Sequence, residues 1–457
     1  MDKYKIKKIG VLGLGITGAS AIDYFNKKLV SIIAWDDKEY IRKKFRKQKL
    51  IIKDLSIIKN IELIDTLFVS PGIKPKHPII LLAKQKNIKI IGDLDIFWKD
   101  KYNGNNKFIV VTGSNGKSTV TSMLWHLLNK NKYQTLVAGN IGIPVLGIKT
   151  IKEPSYYIIE ASSYQLELVK ELKPDIAILT NLTVDHIDWH GSLNKYIASK
   201  EKLFLNQDSN DLAIINIDND YGLNFYKKIN KKALKPRIIK ISTKQKIENT
   251  IYLDNGNIVD NLNNNKTLIG KVKNLTNLKG IHNIENILCT IAAASYIGLT
   301  HNQIRSHLPT FKSLPNRLET VYLDKNIEII NDSKATNLES CKVALSCFDQ
   351  VIWIAGGRRK KEDFNYLNDS IKNIQAGFFI GESGDDFFNY FKNYFYCENS
   401  ININTAIIKA LKFIKKTNKA TILFSPGCSS FDQFKNFEDR GKIFKNEINK
   451  QVQETLI

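Results

Sequence analysis

A short glycine-rich segment with a lysine, Thr112-Gly-Ser-Asn-Gly-Lys-Ser-Thr119, lies between an apolar run and an amphipathic run. Its glycines let backbone N–H groups turn towards a phosphate chain, and the N-terminus of the following helix adds a favourable field. Lys117 would offset β- and γ-phosphate charge, and the hydroxyl of Ser118 or Thr119 would face Mg²⁺. Val111 stands where the general phosphate-loop pattern has glycine. The strand–loop–helix context nevertheless predicts an ATP site.

Two further polar residues fit a metal–nucleotide site. Glu160 ends an apolar run, and His186 follows the run Ile176–Leu179 within Asn181-Leu-Thr-Val-Asp-His-Ile-Asp188. Ligands of open parallel sheets gather at the carboxyl ends of strands. A carboxylate and a neutral imidazole can both hold Mg²⁺ that bridges phosphate oxygens. We therefore expect both residues near the ATP phosphates.

A second glycine-rich turn, Gly13-Leu-Gly15-Ile-Thr-Gly18, follows the first apolar run, and Asp36 and Asp37 follow the next one. Taken alone, this pattern matches the dinucleotide-binding fingerprint and favours an NAD-dependent oxidoreductase. A chain with a complete ATP loop needs no hydride carrier, however. The same turn can hold the diphosphate of a nucleotide-sugar substrate, with Asp36 or Asp37 near the uridine.

The elements that must position these residues fall into three α/β blocks. Apolar strand-like runs alternate with amphipathic segments in each block, which predicts parallel sheets covered on both faces. We expect a Rossmann-like N-terminal domain, a central P-loop ATPase-like parallel sheet and a C-terminal Rossmann-like α/β domain. The predicted boundaries are 1–94, 95–313 and 314–457. Within the central domain, residues 244–279 are predicted to form β-hairpins and loops.

The distribution of charge argues against a nucleic-acid-binding protein. The chain has 457 residues and a formal net charge of +23, which would suit a nucleic-acid-binding ATPase. Lysine is abundant from end to end, whereas nucleic-acid binders concentrate basic residues in one patch, so no nucleic-acid partner is expected. The excess charge should instead help to attract phosphorylated substrates.

Cysteine usage and hydropathy indicate a cytoplasmic protein. The five cysteines form no CxxC pair, and their odd number favours free thiols in a reducing compartment. Lysines before the apolar stretch Ile9–Ile22 resemble a signal peptide, but Gly13, Gly15 and Gly18 interrupt that stretch. No segment reaches the ~20 apolar residues that span a bilayer, so no membrane association is expected.

Taken together, these motifs resemble the Mur ligase family, to which folylpolyglutamate synthases also belong. The resemblance covers nearly the whole chain, and the motifs stand in the family's order. Within the family, the pattern is closest to the D-glutamate-adding members. Three segments carry this assignment: Ser70-Pro-Gly-Ile73, Asn331-Asp-Ser-Lys-Ala-Thr-Asn337 and Ser425-Pro-Gly-Cys-Ser-Ser-Phe-Asp-Gln-Phe-Lys-Asn-Phe437.

The resemblance implies an ATP-driven ligase that activates a carboxylate as an acyl phosphate, with UDP-N-acetylmuramoyl-L-alanine and D-glutamate as substrates and two Mg²⁺ ions. We expect a monomer. The implied catalytic residues are Lys117, Glu160, His186 and Lys200. The implied ATP-binding residues are Gly113, Ser114, Asn115, Gly116, Lys117, Ser118, Thr119, Asn283, Asn286, Arg317 and Asp332. The implied metal-site residues are Ser118, Glu160, His186 and Lys200.

The remaining implied residues bind the other two substrates. The UDP-substrate side comprises Gly15, Ile16, Thr17, Asp36, Asp37, Ser70, Gly72, Asn140, Ser162 and His186. The D-glutamate side comprises Lys334, Thr336, Lys360, Ser430 and Phe437. Lys200 falls where the family has a carbamylated lysine, although its lysine-rich helix by itself indicates only a solvated face.

The chain departs from the family at one place. D-glutamate-adding members commonly have an Asp-Gly pair after two glycines, whereas Gly356-Gly357 is followed here by Arg358-Arg359-Lys360-Lys361. The matching lysine is therefore either Lys360 or Lys361. A folylpolyglutamate synthase-like ligase is the alternative within the family, and the nucleotide fold before residue 95 argues against it.

Overall fold

The computed structural model describes residues 6–45, 50–148, 156–262, 265–359, 363–414 and 420–455. Within these ranges the strands form three sheets, mostly parallel, which confirms the predicted α/β fold class. The chain divides into two units, which we call unit 1 (residues 1–276 and 284–311) and unit 2 (residues 277–283 and 312–457). The first two sheets belong to unit 1 and the third to unit 2.

The first sheet is built from β1 (Lys8–Leu12), β2 (Ser31–Trp35), β3 (Ile51–Ile52), β4 (Thr66–Val69) and β5 (Lys89–Ile91). Its helices are α1 (Ile16–Lys27), α2 (Glu39–Phe45), α3 (Ile58–Ile61), α4 (Pro78–Gln85) and α5 (Asp93–Lys101). The strand order is β3-β2-β1-β4-β5, and all neighbours are parallel. The order reverses between β1 and β4, and ligands of open α/β sheets bind at such a point.

Alternate residues of β1 pack on opposite faces of this sheet. Ile9 and Val11 join Phe25 of α1 in one core cluster, whereas Leu12 joins Ile80 of α4 in another. Because successive side chains of a strand point to opposite faces, a continuous apolar run is what a sheet covered on both faces requires.

The second sheet is built from β6 (Lys107–Thr112), β7 (Thr135–Gly139), β8 (Tyr156–Glu160), β9 (Ile176–Leu179), β10 (Leu212–Asn216), β11 (Arg237–Ser242), β12 (Thr250–Asp254), β13 (Asn257–Asn261) and β14 (Thr267–Lys271). Its helices are α6 (Lys117–Lys130), α7 (Ser163–Glu167), α8 (Ile187–His190), α9 (Leu193–Glu201), α10 (Asp220–Asn230), α11 (Val272–Leu275), α12 (Ile281–Ile297) and α13 (His301–His307). Short 3₁₀ helices cover Val145–Gly147, Lys202–Phe204 and Leu308–Thr310.

The strand order of the second sheet, β14-β13-β12-β11-β10-β9-β6-β8-β7, places β6 between β8 and β9. In register, Val111 pairs with Glu160, and Thr112 pairs with Leu179. The carboxyl ends of these three parallel strands therefore meet at one edge, as predicted. The pairs β12–β13 and β13–β14 are antiparallel, which confirms the hairpins predicted within residues 244–279.

The third sheet is built from β15 (Glu319–Leu323), β16 (Ile327–Asn331), β17 (Val351–Gly356), β18 (Ile374–Ile380), β19 (Tyr396–Ile401) and β20 (Ala420–Phe424). Its helices are α14 (Leu338–Leu345), α15 (Gly384–Phe391), α16 (Ile403–Ile414) and α17 (Phe437–Thr455), with a 3₁₀ segment at Phe364–Asn373. The strand order is β15-β16-β20-β17-β18-β19, and only the β15–β16 pair is antiparallel.

In the described part of the chain, no helix combines the length and the apolar character needed to cross a membrane.

Candidate active site

The predicted phosphate loop connects β6 to α6 at the carboxyl edge of the second sheet. Gly116 precedes the helix, and its φ of 83° lies in the left-handed region that favours glycine. A Cβ atom there would overlap Oδ1 of Asn286, which comes from α12. Since N–H groups at the start of a helix bind anions, the loop has the geometry of a phosphate site, and Asn286 lies against it.

The segment after β9 holds this loop from one side. The hydroxyl of Thr180 donates to the carbonyl of Asn115 (2.5 Å), and the side-chain oxygen of Asn181 accepts from the Asn115 N–H (2.8 Å). The hydroxyl oxygens of Ser114 and Tyr196 lie 2.8 Å apart. These bonds fix the loop backbone, and preorganised donors are what phosphoryl transfer needs.

Two lysine side chains meet at the backbone of the phosphate loop. Lys117 donates from Nζ to the carbonyl oxygens of Gly113 (2.9 Å) and Ser114 (2.8 Å). Lys200, on α9, donates from Nζ to the same carbonyl of Gly113 (2.7 Å) and lies 4.7 Å from the ring centroid of Tyr196. The carbonyl oxygen of Gly113 thus accepts hydrogen bonds from both Lys117 and Lys200.

The expectation that Lys200 lies on a solvated helix face is wrong, because only 2% of the residue is exposed. Burial, followed by the positive charge of Lys117, lowers the pKa of Lys200 well below its usual value, whereas Asp185 and Glu160 act in the opposite direction. The charged form of a buried amine is disfavoured by desolvation. The site therefore favours a neutral amine at Lys200.

Glu160 lies at the end of β8 and is almost fully buried, with 2% exposed. Its Oε1 accepts from the Asn140 side-chain amide (2.8 Å), and its backbone carbonyl accepts from the Asn140 N–H (2.8 Å). Among the residues that the structure describes, its buried Oε2 has no hydrogen-bond partner. A buried carboxylate oxygen without a partner is costly, which indicates that a bound group supplies one.

Mg²⁺ fits these surroundings. It prefers oxygen ligands and is usually held by one or two carboxylates together with substrate phosphates. No group of three or more His, Cys, Asp or Glu side chains in the described ranges could hold a metal unaided. The arrangement at Glu160 therefore suits an ion whose coordination is completed by phosphate oxygens and water.

His186 follows β9 and is held in a strained left-handed conformation, with φ 52° and ψ 31°. Its Nε2 lies 3.3 Å from Oδ2 of Asp185, and 40% of its side chain is exposed. Such strain in a residue other than glycine often marks a functional site. His186 is thus accessible to a ligand, as a metal or substrate contact requires.

Sequence reasoning missed His190, four residues along the same segment. Its Nε2 lies 3.0 Å from Ser163 Oγ, and its ring packs against those of Tyr164 and Tyr196. Burial is the largest of several effects that lower the pKa of His190 to about 4, so the ring is neutral near pH 7. Both histidines lie in the same short segment, and nothing in the sequence indicates that His190 is packed against aromatic rings while His186 is partly exposed.

The N-terminal glycine-rich turn lies between β1 and α1. A Cβ atom at Gly18 would overlap the carbonyl oxygen of Gly13, so this glycine permits close packing of α1 on the turn. The hydroxyl of Ser70 donates to the same carbonyl (2.7 Å). At Gly15 and Gly72, by contrast, a Cβ atom would meet no other atom within 4 Å. Ile16 is 80% exposed, so the open part of the turn faces solvent.

Asp36 supports the turn from within. Its two carboxylate oxygens accept from the backbone N–H groups of Leu14 (2.8 Å) and Lys38 (2.9 Å). In the dinucleotide fingerprint, the equivalent acidic residue accepts ribose hydroxyls. Because the Asp36 oxygens already accept backbone N–H groups, this residue does not support the interpretation as an NAD site. Asp37 is more exposed, and its Oδ2 lies 2.9 Å from Nε2 of His77.

Substitution of Gly15 tests the role of this turn. Gly15 has φ −69° and ψ −166°, which valine adopts without strain, so Gly15→Val should fold. We expect the KM for the UDP-substrate to rise about tenfold or more, because methyl groups forced into a close contact cost roughly 1–3 kcal/mol. Steady-state kinetics should show an unchanged KM for ATP; a selective loss of ATP affinity would reverse the roles of the two glycine-rich loops.

Two of the residues that the resemblance assigns to the amino-acid side lie close together in unit 2. Lys334 Nζ lies 4.7 Å from the ring centroid of Phe437, although the two residues follow different strands. Asp332, which the resemblance assigns to ATP, directly follows β16 and accepts from the Leu318 N–H (3.1 Å) and from the Ser425 hydroxyl (2.9 Å). Burial raises the pKa of Asp332 to about 7.

Arg440 is a second residue that sequence reasoning missed. It is fully buried, and its guanidinium donates to the hydroxyl of Ser333 (3.0 Å), the carbonyl of Ser333 (2.8 Å) and the carbonyl of Cys428 (3.0 Å). Burial is the main cause that lowers its pKa, to about 10. Arg440 thus joins the loop after β16 to the loop after β20, where the resemblance places the acceptor contacts.

Other predicted site residues make only local hydrogen bonds or lie outside the described ranges. Ser162 caps α7 through Gln165, and the side chain of Asn283 donates to the Lys279 carbonyl (2.7 Å). Lys360 and Lys361 lie outside the described residues, so the choice between them stays open.

The chain is similar to known proteins over most of its length. The family model for the Mur ligase middle domain matches residues 111–294, and that for the Mur ligase MurD-like N-terminal domain matches residues 7–92. The UDP-N-acetylmuramoylalanine–D-glutamate ligase of Rickettsia prowazekii is 37% identical over 450 residues, covering 97% of this chain and 98% of the relative. The ligase of the same name from Rickettsia bellii is 37% identical over 448 residues, with the same coverage.

A solved structure shows the same fold. The crystal structure of UDP-N-acetylmuramate–alanine ligase from Thermotoga maritima superposes with a TM-score of 0.57 at 16% identity, covering 98% of this chain and 100% of that one. At this identity the likeness concerns the fold only.

Proposed function

The chain belongs to the Mur ligase family, and on this premise we propose that it joins D-glutamate to UDP-N-acetylmuramoyl-L-alanine while ATP is converted to ADP and phosphate. The reaction belongs to peptidoglycan precursor synthesis. One observation carries the proposal: the 37% identity to D-glutamate-adding ligases extends over 97% of the chain, so it includes unit 2 as well as the ATP loop.

The chemistry requires activation of a carboxylate. A carboxylate does not react with an amine at pH 7, because its oxygen is a poor leaving group. Transfer of the γ-phosphoryl group of ATP to the L-alanine carboxylate gives an acyl phosphate. The amine of D-glutamate then attacks the acyl carbon, and phosphate leaves from the tetrahedral intermediate.

The residues at the edge of the second sheet suit the first of these steps. The N-terminus of α6 and Lys117 lie where the phosphate chain of ATP would bind, and a positive charge there offsets the charge that gathers between two anions. Mg²⁺, when bound, supplies further compensation on the phosphate oxygens. We assign it to Ser118, Glu160, His186 and the carbamate form of Lys200, and we propose two ions.

The domain roles follow the same proposal. Residues 1–94 would bind the UDP-substrate, residues 95–313 ATP, and residues 314–457 the amino acid. The five free cysteines, four of them buried, are consistent with a reducing compartment. We therefore propose a cytoplasmic monomer that acts on small molecules and has no nucleic-acid partner.

Acceptor selectivity tests the proposed function. Phosphate release should depend on UDP-N-acetylmuramoyl-L-alanine together with D-glutamate, because Lys334, Ser430 and Thr336 offer a charge and hydroxyl groups for two carboxylates. Each candidate amino acid is supplied in turn, with L-glutamate as the stereochemical control. Equal rates with L-alanine or a diamino acid would overturn the D-glutamate assignment and leave the family assignment standing.

A further inference from the structure

Arg358 stands where the chain departs from the family's pattern, and its backbone is paired with the loop that carries Ser430. The Arg358 N–H donates to the carbonyl of Ser429 (2.9 Å), and the Ser429 N–H donates to the carbonyl of Arg358 (3.0 Å). The Ser429 hydroxyl donates to the same carbonyl (2.8 Å). The segment after β17 and the segment after β20 are therefore locked together one residue before Ser430.

The side chain of Arg358 extends this lock to a third segment, which follows β18. Its guanidinium makes two parallel hydrogen bonds to Glu382, from Nε to Oε2 (3.0 Å) and from Nη2 to Oε1 (2.7 Å). The N–H of Glu382 donates to Oδ2 of Asp432 (3.1 Å), and Asp432 lies two residues beyond Ser430. The contacts of Arg358 and Glu382 thus form a ring that holds Ser429 and Asp432, which lie before and after Ser430 in the chain.

Arg358 supplies positive charge to this ring of contacts. Glu382 is the main cause that raises the pKa of Arg358, and Asp432 acts in the same direction. The Oδ1 atom of Asp432 is buried and has no hydrogen-bond partner among the described residues. Bidentate Arg–carboxylate pairs fix orientation as well as distance. A lysine, with its single ammonium group, would fix the orientation less well.

We propose that the Arg358–Glu382 pair positions the loop Cys428–Asp432 and thereby sets the affinity for the amino-acid acceptor, without taking part in the chemistry. The inference rests on the proposed function. Both side chains are 53% exposed, and exposed ion pairs contribute little to overall stability. Loss of the pair should therefore loosen this loop without unfolding the unit, because the backbone bonds between Arg358 and Ser429 remain.

Kinetics of Arg358→Met and Glu382→Gln separate this role from a general structural one. We expect the KM for D-glutamate to rise about three- to fivefold, the upper range for an exposed pair. The kcat, the KM for ATP and the melting temperature should stay near wild-type values. The charge-swapped double variant, Arg358→Glu with Glu382→Arg, should recover most of the lost affinity.

A matched control comes from the exposed pair Lys342–Asp369, at 2.8 Å in the same unit. Lys342→Met should leave the KM for D-glutamate unchanged. An unchanged KM in Arg358→Met, or a rise that the charge swap fails to reverse, would overturn the inference. Wild-type enzyme that shows no D-glutamate-dependent phosphate release would instead overturn the proposed function, so the two failures are distinguishable.

Discussion

Lys117→Ala is expected to reduce ATP-dependent ligation by about 10²–10³-fold, the usual effect of removing a preorganised charge from a transferring group. The reason lies in the position of Nζ, which contacts the carbonyls of Gly113 and Ser114 at the start of α6. The loop should survive the change, because Lys200 also donates to the Gly113 carbonyl. Phosphate release with saturating substrates measures the loss.

The control for this variant lies on the same helix. Lys130, in the last turn of α6, is exposed, and Lys130→Ala should retain wild-type turnover. Thermal unfolding of both variants should match the wild-type protein. If Lys117→Ala kept more than half of the wild-type rate, the segment Thr112–Thr119 could not be the phosphate site.

The sheets that carry the site could be predicted because their strands are buried on both faces. Runs such as Phe108–Val111 and Ile176–Leu179 are apolar throughout, which is typical of central parallel strands. Two strands that were not predicted, β7 and β15, lie at sheet edges. In β7 only Ala138 is fully buried, and β15 has no fully buried residue. Partial burial leaves little pattern to detect.

Within the site, residue types were easier to predict than residue environments. The sequence placed Asp36 near a ligand, but both of its oxygens accept N–H groups of neighbouring loops. Arg440 gave no signal, because a buried arginine on a polar helix looks like any exposed one. Its role depends on Ser333, which lies 107 residues away in the chain. Such tertiary hydrogen bonds leave no local spacing pattern.

Lys200 shows that a local signal did exist. The buried residues Tyr196, Ser199, Lys200 and Leu203 have the spacing i, i+3, i+4 and i+7, which is one face of a helix. Lys200 therefore belongs to the inward stripe of this segment, although surrounding lysines made it look solvated. Spacing from Tyr196, and not local charge, was the informative feature.

Lys200→Ala is the second variant expected to lose nearly all activity, by about 10²-fold or more. Its Nζ lies at the phosphate loop, so its loss removes a group from the site and a donor from the Gly113 carbonyl. Lys202 provides the matched control, because its Nζ lies 3.2 Å from Oε1 of Glu167 and contacts no part of that loop among the described residues. Lys202→Ala should change phosphate release only modestly.

The state of the Lys200 amine decides how it contributes. An ammonium beside Lys117 would repel Mg²⁺, whereas the carbamate that the resemblance implies would be an anion able to support the metal near Glu160. Formation of a carbamate requires a neutral amine and CO₂. Burial at Lys200 favours the neutral amine. We therefore expect enzyme equilibrated with ¹³C-labelled bicarbonate to show a carbamate ¹³C signal that is absent from Lys200→Ala and present in Lys202→Ala. Active, magnesium-loaded enzyme without that signal would show that Lys200 acts unmodified, through its contact with the phosphate loop.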